Sequence, residues 1–145
     1  MEHVLALAQY AQTHVLAILA CIILSYIVGS VWHGPLFGKQ WMAYNKITPP
    51  KKGEMKFSMM VPGLVASFFH MLVLSTVMGR TFQLVALTNV LQALLIAFIL
   101  WLAFTGLAFG NSYAWEGKSK GHWAISAGYY LVMMLASAAI LYATL

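Results

Sequence analysis

The stretch "HVLAILACIILSYIVGSVWH" (residues 14–33) carries no lysine, arginine or carboxylate along its whole length. An α-helix needs about 20 consecutive apolar residues to cross a lipid bilayer. Within lipid, backbone N–H and C=O groups must bond to one another, so a single span of this kind has to be helical. The stretch therefore predicts the first membrane-spanning helix of the chain.

Three further stretches have the same character, at residues 57–79, 82–109 and 122–145. The whole chain is 62% hydrophobic and only 8% charged, whereas a soluble domain carries about 25% charged residues. So few charges cannot cover a water-facing surface. The 145 residues are therefore expected to form a single domain, an all-α, integral membrane bundle of four transmembrane helices.

The distribution of positive charge predicts the orientation of these helices. The first loop (residues 34–56) and the third loop (110–121) lie on the same side of a four-span protein, and together they contain all seven lysines. The tight second loop has only Arg80. The positive-inside rule then places both lysine-bearing loops in the cytoplasm and both termini outside, in the cell (inner) membrane. Cations confined to short loops suit an anionic bilayer surface, so nucleic acid is excluded as a partner.

Several chemical classes are excluded by the residues that are missing. Cys21 is the only cysteine, so no intramolecular disulfide can form, which excludes quinone-coupled thiol oxidoreductases. The sequence shows no serine–histidine–carboxylate set and no paired carboxylates. His70 has no second histidine, cysteine or carboxylate at its expected depth. We therefore predict no metal and no cofactor, and we favour a protein that is not an enzyme.

The residues after the first span, "GPLFGKQWM" (34–42), are typical of a helix end. Gly34 permits a C-terminal turn, and Pro35 is expected to stop the helix. Trp32 and Trp41 suit the membrane interface, where an indole buries its ring and keeps its N–H in water. Lys39 can place its ammonium group among the headgroups.

Two stretches carry a family resemblance: "VWHGPLFGKQWM" (31–42) and "GNSYAWEGKSKGHWAISAGYYLV" (110–132). Together they resemble the small membrane family catalogued as domain of unknown function 1761. His33 departs from the tyrosine expected there, and the family name implies no activity. The matching positions are Trp32, Pro35, Leu36, Phe37, Gly38, Lys39 and Trp41 in the first stretch, and Asn111, Tyr113, Glu116, Gly117, Lys118, Gly128 and Tyr129 in the second.

Because both stretches belong to loops on one membrane face, we expect them to meet and to form a ligand-binding site. Glu116 is the only acid near these lysine-rich helix ends, so Lys39 or Lys118 is its expected ion-pair partner. The candidate ligand-binding residues are Trp32, His33, Lys39, Trp41, Asn111, Tyr113, Glu116, Lys118 and His122.

A second candidate site lies inside the membrane. The short loop around Arg80 joins the second and third spans, so we expect these two helices to be antiparallel neighbours. Counted from that loop, His70, Asn89 and Gln92 all reach about 10–15 Å into the bilayer, and Ser137 of the fourth span lies at a comparable depth. Such a polar cluster either holds the helices together or forms a ligand-binding or permeation site.

The leading functional hypothesis is a non-enzymatic membrane module that forms a homo-oligomer or binds a partner, a lipid or a small lipophilic ligand. The first alternative is a transporter or channel protomer that uses the polar layer around His70. The second is a membrane enzyme acting on lipophilic substrates, with the topology of the trimeric membrane glutathione transferases. Those enzymes carry an arginine and a glutamate at their second helix, whereas the corresponding "KFSMMVPGLVASFFH" (56–70) has neither.

The predicted orientation can be tested with epitope tags at the two ends of the chain. In intact cells, both tags should be cut by externally added protease, because both termini are expected outside. Tags that remain protected, while a tag on an extracellular control protein is removed, would contradict the orientation.

Overall fold

The computed structural model describes residues 2–48 and 57–145, and the described part is built from helices without a strand. The break "ITPPKKGEMK" (47–56) and its lysines lie mostly outside the described residues. Seven α-helices follow in chain order: α1 (Glu2–Thr13), α2 (Val15–Val31), α3 (Gly38–Tyr44), α4 (Phe57–Val85), α5 (Val90–Trp101), α6 (Leu107–Trp115) and α7 (Lys120–Tyr142). Two π-helical turns, Trp32–Leu36 and Leu102–Gly106, join α2 to α3 and α5 to α6.

Four helical segments are long and apolar enough to cross a bilayer, which confirms the predicted all-α, four-span fold. They are Val15–Leu36, Met60–Val85, Val90–Trp115 and Lys120–Tyr142. Within these spans the backbone N–H and C=O groups are satisfied by the helices themselves, as the hydrocarbon core requires. The orientation of the termini stays a prediction.

The first span was expected to end at His33, before Pro35, and instead runs through Pro35 to Leu36. Phe37 donates its backbone N–H to the carbonyl of Trp32 at 2.9 Å, five residues back, so the chain forms a wider π turn there. This turn accommodates a proline that has no N–H to donate. Gly38 then packs directly on the carbonyl of His33, where a Cβ atom would collide. The first span therefore ends at Leu36, and α3 begins after a non-helical turn at Phe37.

The boundary between the second and third spans also differs from the sequence prediction. α4 does not end at Gly79 but continues to Val85, and the turn follows at residues 86–89. Ala86 adopts a left-handed conformation (φ 52°), and Asn89 caps α5 by accepting the N–H of Gln92. Gly79 lies inside the helix, and Tyr10 of α1 packs on it so closely that no side chain would fit there.

α7 is the central helix of the bundle. α2, α4 and α5 all pack on it, and α2 also packs on α4. α5 makes its extensive contacts with α7 rather than with α4, so the prediction that the second and third spans are neighbours is wrong. The physical reason is the buried face of α4, which recurs at Met71, Ser75, Met78 and Phe82 and is used against α1, α2 and α7.

The two ends of the bundle differ in charge. We call the end formed by α3 and residues 116–119 the lysine-rich end. The opposite end, formed by α1, the turn 86–89 and the C-terminus, is called the Arg80 end. Among the described residues, the first part of loop one (34–48) thus lies at the same end as the third loop. At the Arg80 end, α1 packs beside the last turns of α4 through Tyr10, of which only 3% is exposed.

The register between α2 and α7 can be tested with the natural cysteine. The thiol of Cys21 lies 3.8 Å from the carbonyl oxygen of Ser137, and both side chains are fully buried. In membranes treated with a mild oxidant, most Ser137→Cys chains should form an internal disulfide with Cys21. Maleimide labelling of denatured protein, before and after reduction, measures this fraction.

The matched control is Ala139→Cys, two residues further along α7 on an exposed position. It should leave both thiols free, because its side chain points away from α2. Equal disulfide formation in the two variants would contradict the register.

Candidate functional site

Three tryptophan indoles tie the first and third spans to α7. Trp32 donates its Nε1–H to the carbonyl of Ile125 at 3.0 Å, and Trp101 donates to that of Ala127 at 2.8 Å. In the other direction, Trp123 of α7 donates to the carbonyl of Gly106 in the second π turn at 3.0 Å. Each bond satisfies a polar group that lipid would leave unpaired, and each joins helices far apart in sequence.

These bonds change the interpretation of Trp32. Its indole was expected to keep its N–H in interfacial water, but the N–H is bonded to α7 and the ring lies on Phe37 and Gly128. Trp32 is thus a packing residue between two spans rather than an exposed ligand contact. A ligand site at this end has to be built from the neighbouring side chains.

On the α3 side of α7, two of the predicted residues come together. His33 is half-buried, with its ring centre 5.6 Å from that of Trp41 and 5.0 Å from that of Tyr129. Tyr44, at the end of α3, packs directly on Gly121 at the start of α7. The first family-like stretch therefore does meet the second, through α7. Lys39 extends from α3 as an exposed side chain.

On the α6 side of α7, one of the predicted residues, Tyr113, lines an apolar groove. The groove has a volume of about 450 Å³, and its walls include Tyr113 together with Gly106, Leu107, Gly110, Lys120, Trp123 and Ala124. His122 lies beside Phe109 with ring centres 6.4 Å apart, and its Nδ1 is buried without a hydrogen-bond partner. Asn111 is exposed and Lys118 half-buried near this groove.

The expected ion pair of Glu116 is not formed. Its carboxylate accepts a hydrogen bond from the Ser112 hydroxyl at 3.1 Å, one turn back in the same chain segment. In the part of the chain that the structure describes, no ion pair joins Glu116 to Lys39 or Lys118. The nine predicted ligand-binding residues therefore lie on two sides of α7 and do not converge on one ligand.

The predicted intramembrane cluster of His70, Asn89, Gln92 and Ser137 is not formed. Asn89 and Gln92 are exposed at the first turn of α5, where Gln92 Oε1 accepts the backbone N–H of Thr88 at 2.8 Å. His70 lies 15 residues before the end of α4, or about 22 Å away along the helix axis. The error follows from the helix boundary, because the true turn lies several residues later than the sequence suggested. Ser137 is buried beside Cys21 and is not part of a polar layer with His70.

His70 instead belongs to a different polar site, which we call the midplane cleft. This is a cavity of about 110 Å³ between α2, α4 and α7, lined by Ser25, Ala66, Ser67, His70, Met71, Tyr129, Tyr130 and Met133. His70, Tyr130 and Ser25 each lie about 15 Å from the lysine-rich end of their own span. A hydrocarbon core is about 30 Å thick, so all three side chains lie near the middle of the bilayer.

Two adjacent tyrosines of α7 form the floor of the midplane cleft. Tyr129 donates its hydroxyl to the carbonyl of Ser25 at 3.3 Å, which fixes its ring beneath α2. Tyr130 lies between His70 and Phe109, with ring centres 5.5 and 5.8 Å away. Since α4 and α5 do not pack on each other, the cleft is open at this side and the side chain of His70 is exposed.

The rings of the midplane cleft continue to the lysine-rich end. In order they are Trp41, His33, Tyr129, Tyr130 and His70, with successive ring centres 5.6, 5.0, 5.0 and 5.5 Å apart. Sequence reasoning missed the two tyrosines as site residues. The signal was present, because "GYY" (128–130) lies within the second family-like stretch and Tyr129 was one of its matching positions. Nothing in the sequence placed either ring beside His70.

The fold and this cleft define the class of protein: a four-span, all-α membrane protein with a polar site at mid-depth. A family model described as "Protein of unknown function (DUF1761)" matches residues 16–142, so the chain belongs to that family and the resemblance is confirmed. No curated protein and no solved structure matches the chain.

The role of the indole bonds can be tested with Trp101→Phe. The substitution keeps an aromatic ring but leaves the Ala127 carbonyl without its donor, so it should reduce stability by about 1 kcal/mol. Thermal unfolding in detergent micelles measures the change. The control is Trp115→Phe, because Trp115 is 86% exposed and should tolerate the change. Equal melting temperatures for wild type and Trp101→Phe would show that the bond contributes nothing.

Proposed function

We propose that this protein is a non-enzymatic membrane module that works as a homo-oligomer, in which a second copy covers the midplane cleft. The observation that supports this most is the exposure of His70 at mid-depth in the bilayer. Polar and ionisable side chains in lipid are costly and nearly always face protein or a water-filled cavity. In a single copy, His70 faces neither a hydrogen-bonding helix nor a closed interior.

The face of α4 beside His70 suits close packing against another helix. Gly63, Ala66 and Ser67 lie on the same side of α4 as His70, and a Cβ atom at Gly63 would meet nothing within 4 Å. Small residues let two helix backbones approach closely, which is the main source of helix association in lipid. A second copy on this face would place His70 and Ser67 against protein and replace lipid contacts by tight packing.

The position of the protein in the cell forms part of the same proposal. The lysine-rich end carries Lys39, Lys46, Lys118 and Lys120 among the described residues, against Arg80 at the opposite end. The positive-inside rule supports an inner-membrane protein with the lysine-rich end in the cytoplasm. The apolar groove beside Trp123, with Lys120 at its edge, would then hold lipid chains of the cytoplasmic leaflet.

A second candidate function is permeation, and one observation favours it. The midplane cleft and the run of rings from Trp41 to His70 connect the lysine-rich end to the middle of the membrane. Histidine is the side chain whose charge changes most readily near neutral pH. A proton path would therefore use His33 and His70, with the two tyrosines between them.

The homo-oligomer can be tested by cross-linking in native membranes. In a Cys21→Ala background, a Ser67→Cys chain should give several times more cross-linked dimer with a short bis-maleimide than an Ile27→Cys chain. Ile27 lies on α2 at a similar depth and is 57% exposed, so it reports chance collisions in the bilayer. Non-reducing gel electrophoresis measures the dimer fraction.

Equal cross-linking at the two positions would contradict the proposed interface. If that result were accompanied by proton flux into liposomes that His70→Leu abolishes, permeation would be favoured instead. Wild-type protein that gives neither a dimer nor flux would contradict both candidates.

A further inference from the structure

A second polar cavity lies at the Arg80 end of the bundle, between α1 and the last turns of α4. Its volume is about 190 Å³, room for about six water molecules at about 30 Å³ each. Its lining residues are Ala6, Gln9, Tyr10, Thr13, Arg80 and Gln83. Arg80 is ten residues beyond His70 on α4, about 15 Å away along the helix, so this cavity is separate from the midplane cleft.

The hydrogen-bond donors of this cavity are Arg80 and the side-chain amides of Gln9 and Gln83, whereas the Thr13 hydroxyl already donates to the backbone of its own helix. Arg80 donates one guanidinium N–H to Gln83 Oε1 at 3.1 Å. Its other guanidinium N–H groups remain available as donors. Because Gln83 accepts that bond through its oxygen, its Nε2 amide remains a donor and lies 3.4 Å from the His14 ring. No carboxylate contributes to the lining. The cavity thus holds a net positive charge with no internal counterion among its lining residues.

Tyr10 adds a polar group that has no partner. The side chain is 3% exposed, and its hydroxyl is buried without a hydrogen bond in the part of the chain that the structure describes. Burial raises the pKa of the Tyr10 phenol, so the group stays protonated and remains a donor at neutral pH. The hydroxyl lies against Gly79 of α4, so Tyr10 closes the wall of the cavity between α1 and α4.

We propose that the cavity between α1 and α4 binds an oxyanion, a phosphate or carboxylate group, held by Arg80 with Gln9 and Gln83. A guanidinium group presents planar paired donors that match two oxygens of such an anion. The anion comes either from a lipid headgroup in the leaflet at the Arg80 end or from a small soluble molecule. Neither the midplane cleft nor self-association is needed for this site.

The experiment uses the full-length protein purified in detergent and two probes. Native mass spectrometry measures retention of phosphatidylglycerol, and thermal unfolding measures stabilisation by inorganic phosphate at constant ionic strength. Arg80→Gln should weaken binding of the effective probe at least about tenfold, because it removes a charge-assisted hydrogen-bond pair.

The matched control is Lys46→Gln, which removes the same charge from an exposed position at the lysine-rich end. It should bind the effective probe as wild type does. Loss of phosphatidylglycerol alone in Arg80→Gln identifies a lipid headgroup, and loss of phosphate stabilisation alone identifies a soluble anion. Wild-type protein that binds neither probe, or Arg80→Gln and Lys46→Gln variants that bind equally, would overturn the proposal. Melting curves without ligand show that each variant is folded.

Discussion

The packing of every other span onto α7 is the constraint on which the rest of this structure depends. A helix in lipid gains little by leaving lipid for another apolar helix, so specific contacts have to hold the bundle together. Here those contacts are indole N–H groups on backbone carbonyls, from Trp32 and Trp101 onto α7 and from Trp123 onto the second π turn. Tyr129 adds a fourth bond of this kind, to Ser25 of α2. The bonds join helices that the short loops alone would leave free to rearrange.

The central position of α7 leaves a polar side chain exposed at the surface of the bundle. With α2 and α4 on one side and α5 on the other, the second and third spans are left apart although they are consecutive in the chain. The open space between them exposes His70 and one side of the midplane cleft. A compact bundle of the same four helices would have enclosed this histidine. The exposed polar site at mid-depth therefore follows from the way the spans pack on α7. The same arrangement creates the need for a partner that covers the site.

Sequence reasoning reached the four spans because hydropathy and length act locally, and because lipid leaves the backbone no alternative to a helix. It misplaced the ends of the first two spans, which lie at Leu36 and Val85 instead of at His33 and Gly79. At Pro35 the helix widens into a π turn, and at Gly79 the small residue serves the close approach of Tyr10. Both reasons lie in tertiary contacts, which a single sequence does not display.

The same limit explains the candidate sites. Asn89 and Gln92 were counted from a turn that lies several residues too early, so their depth was wrong and His70 was assigned the wrong neighbours. The family-like stretches were correctly expected on one end of the bundle, but they meet through α7 and not as a single pocket. The Tyr10–Arg80 cavity was missed because its residues come from two helices about 70 positions apart, without a local pattern to join them.

A structure determined in lipid nanodiscs tests the central claim most directly. The expected result is a bundle in which α7 contacts α2, α4 and α5, α4 and α5 are apart within each copy, and a second copy lies over His70. A bundle in which α4 packs along α5 and encloses His70 within a single copy would contradict the central role of α7 and, with it, the need for a partner.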